Sequence, residues 1–453
     1  MVTQPPNGQQ YGPGITRIAV TGFKSLAEKA DVEIRPLTVL AGANSSGKSS
    51  LMQPLLLMKQ TFDIERIPPG PFWLRGEQIG YDTADQFLSS SGEMTEAAKR
   101  LTIELEAESN WAELSFEKRP GSDLAILETT SRDAIDGREW QLNRETSQES
   151  LHELLNSVPS RMADSPLYES AELLVQPDRC FFAVGTRFSE DALVPTFHRP
   201  ELIVLRHKIQ DMIHVSGLRG SEEREFYLHG LPFRNSYPGD FEEYVPSILE
   251  AWKEDRTETG YGFERLNAMR GALQHLELAS GVETRKLNES KIEVLIPRTL
   301  HGDPNDLVNI ADVGSAVSQI LPVLVALMIA HQNQLIHIEQ PELHLHPRAQ
   351  WKLGQLLADT ANRGVRLVIE THSSLLLQGI LTCVAKGAIS PENVALHWFA
   401  RNEEGVTRVK TANLDSEGRV GDWPADFDEV ELRASNDYLD AVEARLMAGK
   451  GAA

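Results

Sequence analysis

The sequence predicts an α/β fold in which one mixed sheet is assembled from two distant stretches of chain. Three observations predict it. Residues 37–41 form a short apolar run, followed by a glycine-rich turn and the apolar stretch 50–58, which is the order strand, loop, helix. Residues 335–339 and 365–370 repeat the apolar-strand pattern far downstream, each ending in an acid and leading into helical spacing. Between these pieces, residues 101–105, 111–116 and 124–128 read as three strands of an antiparallel β-meander.

The first piece carries the sharpest chemistry. Gly42-Ala43-Asn44-Ser45-Ser46-Gly47-Lys48-Ser49 fills the pattern G-x-x-x-x-G-K-[ST] between a strand and a helix, the context the motif requires. Glycines let the backbone turn its N–H groups inward onto phosphate oxygens. The helix N-terminus adds partial positive charge. Gly42, Asn44, Ser45, Ser46, Gly47, Lys48, Ser49 and Ser50 are therefore the candidate phosphate contacts. Lys48 would bridge the outer phosphates, and the Ser49 hydroxyl would ligate Mg²⁺.

Along the chain, residues 15–23 alternate as a strand and 32–35 return as a second. Pro68, Pro69, Gly70 and Pro71 break the pattern after the P-loop helix. Asn110 and Pro120-Gly121 are the expected meander turns. From 148 to about 269 the spacing is mainly that of amphipathic helices, without internal repeat or long heptad run, so no long coiled-coil arm is expected. A strand at 291–297, a turn at 310–314 and an apolar helix at 317–330 follow. Next come strand 334–339, helix 347–362, strand 365–370, helix 373–385, strand 394–399 and a last amphipathic helix at 431–446. The resulting division is a polar leader at 1–14, an N-terminal head piece at 15–135, an inserted helical or arm region at 136–285 and a C-terminal head piece at 286–453.

Composition bounds the partners. A net charge of −22 argues against nonspecific coating of DNA. The longest apolar run, 320–330, is half a membrane span, so no membrane is expected. The leader lacks a basic start and an apolar core, which is unlike a signal peptide. Cys180 and Cys383 give no disulfide framework or zinc pattern, and a cytoplasmic location follows as the expectation.

The second piece supplies the remaining chemistry. Leu335-Ile336-His337-Ile338-Glu339-Gln340-Pro341-Glu342 is an apolar strand whose terminal carboxylate, Glu339, is placed to hold Mg²⁺ directly or through water. The next strand ends in Glu370-Thr371-His372-Ser373, setting His372 at the tip facing the same crevice, where open α/β sheets bind ligands.

Taken together, the P-loop, the Glu-Gln-Pro-Glu-Leu-His-Leu-His-Pro run at 339–347 and the Glu-Thr-His-Ser at 370–373 resemble ABC-class ATPases of the overcoming-lysogenisation-defect (OLD) type, distant relatives of SMC and RecF heads. Residues 312–322 occupy the place of that group's signature motif. Residues 414–429 resemble the ending of stand-alone members found beside effector genes in prokaryotic antiviral defence loci. Val215-Ser216-Gly217-Leu218-Arg219 resembles a segment carried before their arm helices. The resemblance covers roughly 190 residues of the split core and tail. It implies a split ABC-type P-loop ATPase head that takes ATP and Mg²⁺. It further implies the ATPase subunit of a multi-component anti-phage complex, restraining a separately encoded nuclease or toxin until triggered. Heads of this type pair as a homodimer or higher homo-oligomer, with ATP between the P-loop of one subunit and Gly314, Ser315 and Ser318 of the other. By the same resemblance Glu339, Gln340, Glu342 and His372 are the catalytic positions, Ser49 and Glu339 the metal ligands, and His344 and His346 part of a dimer-contact loop.

Two departures bear on turnover. Gln340 stands where the repair ATPases usually carry a glutamate; an amide cannot accept a proton, and a missing general base costs roughly 10²–10⁴-fold. Glu342, two residues on, is the candidate substitute. The signature has Gly314 where serine is usual and Ala316 where glycine is usual. Slow hydrolysis and long-lived ATP-bound dimers are the expectation. The rivals are an SMC/RecF-like DNA-repair ATPase and a hydrolysis-deficient ATP-bound scaffold. His344 and His346 lack a third clustered metal ligand, and Arg219 and Arg224 read equally well as surface arginines. Asp426-x-Asp428 reads as a solvated acidic loop, and the chain ends about 80 residues past His372, so no built-in nuclease is expected.

Overall fold

The computed structural model describes residues 14–64, 68, 70–89, 99–132, 137–156, 172–189, 192–197, 199–219, 223–232, 236–255, 260–299 and 306–421. Residues 1–13 of the leader, the Asp426-x-Asp428 pair, the tail beyond 421 and the helix expected at 431–446 lie outside the described residues. In chain order, β1 (Ile15–Thr21), β2 (Ala30–Glu33) and β3 (Leu37–Gly42) lead into α1 (Lys48–Asp63). β4 (Lys99–Ala107), β5 (Asn110–Lys118), β6 (Ala125–Arg132) and β7 (Glu139–Leu142) follow, then α2 (Gln148–Asn156). Next are β8 (Glu172–Asp178), β9 (Phe181–Ser189), β10 (Ala192–Phe197), α3 (Pro200–Gln210), β11 (Ile213–Val215) and β12 (Phe226–Tyr227). α4 (Val245–Glu254), α5 (Tyr261–His275), β13 (Glu283–Lys286), β14 (Lys291–Pro297) and β15 (Leu307–Asn309) precede α6 (Ser315–Ile329). β16 (Leu335–Glu339), α7 (Pro347–Asn362), β17 (Arg366–Thr371), α8 (Ser374–Ala385), β18 (Val394–Arg401), β19 (Thr407–Leu414) and β20 (Val420–Gly421) complete the chain.

Seven strands form the sheet that carries the P-loop, in the order β11-β16-β17-β3-β18-β19-β20. The first five run parallel; β19 pairs antiparallel with β18, and β20 antiparallel with β19. Helices cover both faces of its parallel part, so β3, β16 and β17 are nearly continuous buried apolar runs. Alternation across the pleat splits each strand between two cores. Val39 and Ile369 face a core shared with α4 to α8, whereas Leu40 and Val368 face one shared with α1 and the meander.

The antiparallel meander is present and larger than the three strands expected, in the order β2-β1-β4-β5-β6-β7. β1 and β2 belong to it and not to the P-loop sheet. The region between the head pieces does contain helices α2 to α5. It also contains a three-stranded antiparallel sheet, β10-β9-β8, where helices and loops were expected. α4 and α5 pack in the same core as α6 and β16.

Candidate nucleotide-binding site

The P-loop is held in a backbone shape that its glycines permit. Gly42 has φ 147°, Ser45 φ 59° and Gly47 φ 101°. A Cβ on Gly42 would lie 2.2 Å from the Phe399 carbonyl, and one on Gly47 would lie 2.5 Å from the Thr407 hydroxyl. Thr407 on β19 donates to the Ser46 carbonyl at 2.8 Å and so braces the loop from two strands away in the same sheet. Asn44 and Ser45 are exposed at its tip; Ser46 and Ser50 are buried. Gly47 is the N-cap of α1, which has no side-chain cap and no acid in its first turn. Its leading N–H groups are therefore left for an external anion.

Lys48 is folded over the loop, its Nζ donating to the carbonyls of Gly42 (3.0 Å) and Ala43 (2.9 Å). Burial lowers its pKa, while the carboxylates of Glu370 and Glu342 pull it back up. Ser49 Oγ donates to Glu370 Oε2 at 2.6 Å. Sequence reasoning paired Ser49 with Glu339; the structure sets Glu370 against it, because β17 lies between β3 and β16. Glu370 also takes a 2.8 Å bond from His337 Nε2. Only the sheet order reveals this pair, since the sequence shows two polar residues inside separate apolar strands.

Glu339 ends β16, level with Glu370 across the strand pair. His214 Nε2 contacts Glu339 Oε1 at 3.1 Å. Burial opposes ionisation of Glu339, but His214, His337 and the Gly217 N–H outweigh it and hold the carboxyl well below its usual range. The next residue, Gln340, sits at φ 43° and donates its N–H to the Glu370 carbonyl at 2.7 Å. Arg219 holds this tip. It is only 2% exposed, which removes the surface reading. Its guanidinium donates to the carbonyls of Glu339, Gln340 (2.8 Å) and Gln319 (3.0 Å). Arg224 is exposed and paired with Asp312 at 2.5 Å, at the start of the signature stretch.

Glu342 is 8% exposed. Its Oε1 accepts from Thr371 Oγ1 and from the His372 N–H, each at 2.8 Å. Its Oε2 is buried with no hydrogen-bond partner. Burial raises its pKa above the usual carboxylate range. Burial, then the Lys48 charge, lowers the pKa of His372 against a hydrogen bond with the Gly42 backbone. Glu342, His372, Lys48 and the P-loop are thus one neighbourhood.

A family model described as "AAA domain, putative AbiEii toxin, Type IV TA system" matches residues 37–181 and 233–378, with the P-loop, Glu339, Glu342 and His372 inside the matched parts. The chain belongs to this family. As a member of the AAA-domain family it is an ATP-binding P-loop ATPase. His214 and Arg219, both in contact with the tip of β16, fall in the gap between the matched parts. A second family model, described as "Protein of unknown function (DUF3696)", matches residues 389–431. No curated protein matches the chain. Among solved structures it is similar to an SMC head bound to the C-winged helix domain of ScpA, at 11% identity and TM-score 0.44 over 89% of this chain and 98% of that one. It is similar to the SMC head domain from Thermotoga maritima at 10% identity and TM-score 0.37, over 88% and 98%. The Smc head domain from Pyrococcus furiosus, with an extended coiled coil and the C-terminal domain of ScpA, is similar at 10% identity and TM-score 0.45, over 95% and 100%.

The signature residues stand apart from this chain's own P-loop contacts. Gly314 is the N-cap of α6 with open space around it. Ser318 Oγ turns back to the Ser315 carbonyl at 3.0 Å. The next residue, Gln319, receives Arg219, which ties α6 to the tip of β16. His344 is exposed and His346 caps α7. Among the described residues, neither joins a cluster of three metal-ligand types. No helix among the described residues is long and apolar enough to cross a membrane.

Proposed function

We propose that this chain is a slowly hydrolysing, OLD-like ABC-type ATPase subunit of an anti-phage complex, which restrains a separately encoded effector until triggered. The observation that carries the ATPase part is the buried, unpartnered Glu342 Oε2 beside the Lys48 loop. The hydroxyl of Ser49 and the carboxylates of Glu370 and Glu339 are the hard oxygen set that suits Mg²⁺. When bound, Mg²⁺ would neutralise charge on the outer phosphates of ATP. The uncapped N–H groups at the start of α1 and the Lys48 ammonium bind and orient the phosphates. Glu342 accepts the proton of the attacking water at Oε2, while Thr371 and the His372 N–H fix its other oxygen. His372 stands over the loop as the residue that registers the terminal phosphate.

Slow turnover is supported by Gln340 beside Glu339 and by the altered signature at Gly314 and Ala316. The open, uncapped start of α6 supports pairing with a second copy across ATP. The OLD-like run at 339–347 and the naming of a toxin and a TA system in the family description support the defence setting. The test is the native mass of the chain purified together with the products of its neighbouring genes, with ATP and Mg²⁺. A defined assembly containing a second protein is expected. A bare dimer whose turnover DNA stimulates would instead mark a repair ATPase.

A further inference from the structure

Two histidines that the family match leaves without a role stand directly behind the two carboxylates of the site. β11, β16 and β17 run parallel, with His214 level with His337, His337 level with Val368, and Glu339 level with Glu370. Residues two apart share a face, so each histidine looks diagonally at a glutamate on the next strand. The same diagonal occurs twice: His214 Nε2 on Glu339 Oε1 at 3.1 Å, and His337 Nε2 on Glu370 Oε1 at 2.8 Å. The rings stack, 5.0 Å apart and 15° from parallel. Both are buried.

The direction of the inner bond follows from its surroundings. Glu370 already accepts from Ser49 through its other oxygen. His337 Nδ1 is buried and has no partner. A proton on Nδ1 would bury an unpaired donor, so the ring proton belongs on Nε2, pointing at Glu370. Each carboxylate thus gives one oxygen to a histidine. Glu370 keeps its second on Ser49, and Glu339 keeps its second at Gly217, where an added Cβ would lie 3.2 Å from Oε2.

We propose that His214 and His337 are positioning residues that fix Glu339 and Glu370 for a divalent cation bound with ATP. This rests on the reading of the site as a Mg²⁺-ATP site. Outer partners of this kind orient the ligating oxygens, and their loss costs roughly 10–100-fold in metal affinity. The pair also comes together with Glu339 as three ligand-type residues whose ligand atoms lie within 4.8 Å of one another. That arrangement is a competing use, because His337 Nε2 cannot both donate to Glu370 and coordinate a metal.

The test measures ATP affinity in EDTA and the Mg²⁺ concentration needed for half-maximal tightening of ATP binding. Mn²⁺ bound with ATP is followed in parallel by its electron-spin resonance. His337→Leu is expected to raise the Mg²⁺ requirement ~10–100-fold and broaden the Mn²⁺ signal, with ATP affinity in EDTA unchanged. His337→Gln, which keeps an N–H near Nε2, is expected to recover most of the loss. His214→Leu and His214→Gln repeat the comparison one strand out, where His337→Leu fails to fold. Unchanged Mg²⁺ requirement in both leucine variants, with wild-type binding Mg²⁺-dependent, overturns the proposal alone. Wild-type binding that ignores Mg²⁺ overturns the site reading, and the proposal with it. Co²⁺ absorption in the nucleotide-free protein that both leucine variants abolish makes the histidines ligands and also overturns it.

Discussion

Glu342→Gln separates catalysis from stability at the residue assigned as general base. The amide oxygen can keep both bonds that Oε1 accepts, from Thr371 Oγ1 and the His372 N–H. The new NH₂ takes the place of Oε2, which has no partner to lose. Burying that unpaired donor costs ~1–3 kcal/mol, and removing a buried carboxylate returns a similar amount. The two offset, so the melting temperature moves by no more than a few degrees. Catalysis has no such compensation. An amide cannot take a proton from water, and kcat is expected to fall ~10²–10⁴-fold, or ~3–5 kcal/mol of barrier. Burial raises the Glu342 pKa, so the base form appears only above the ordinary carboxylate range. The acid limb of the wild-type kcat profile should sit correspondingly high and vanish in the variant. Single-turnover hydrolysis of radiolabelled ATP across pH, with nucleotide affinity and melting temperature in parallel, measures all three. Unchanged kcat would refute the assignment of the base. Loss of ATP binding together with a collapse in melting temperature would refute the claim that the site tolerates the swap.

Three further predictions rest on local geometry. Gly42→Ala forces a Cβ to within 2.2 Å of the Phe399 carbonyl at φ 147°, and should cost on the order of 3 kcal/mol in denaturant unfolding. Arg219→Leu leaves the carbonyls of Glu339, Gln340 and Gln319 without their donor; a loss of at least ~3 kcal/mol is expected in the same assay. Asp240 is pushed up to about 6 by burial, then by Glu242, Glu243 and Glu77. A raised carboxyl stabilises the fold while protonated. That contribution is complete below the unfolded value of about 4 and is lost as pH rises through about 6. Asp240→Asn should therefore raise the melting temperature at pH 8 relative to wild type and leave it unchanged at pH 4.

What the sequence made legible were the elements with strong periodicity or hard motifs. The P-loop strand, the 347–362 helix and the strands ending at Glu339 and Glu370 are apolar runs bounded by turn chemistry, and they stand where the pattern put them. The sheet β8-β9-β10 was not legible. Its first hairpin turns through Arg179 and Cys180, with Arg179 at φ 55°. Asn-Gly and similar pairs normally announce such a turn, and here neither residue does. β4 and β5 are joined in the same way through Glu108, at φ 64°; Asn110, read as the turn, begins β5. In the site, the residues of continuous motifs were visible. The Ser49–Glu370 and His337–Glu370 contacts were not, because they depend on β17 lying between β3 and β16. Arg219 read equally well as a surface residue because nothing local shows that its guanidinium turns inward to the carbonyls of Ser216, Gln319, Glu339 and Gln340.

The central claim is that ATP binds through this P-loop. Titration calorimetry of ATP with Mg²⁺ into wild type and Lys48→Ala tests it most directly. The Lys48 ammonium makes two bonds to loop carbonyls at 2.9–3.0 Å that phosphate oxygens can replace. Two charge-assisted bonds at ~1.5–3 kcal/mol each correspond to a loss of ~100-fold or more in affinity. Equal affinity in the two proteins would contradict the account.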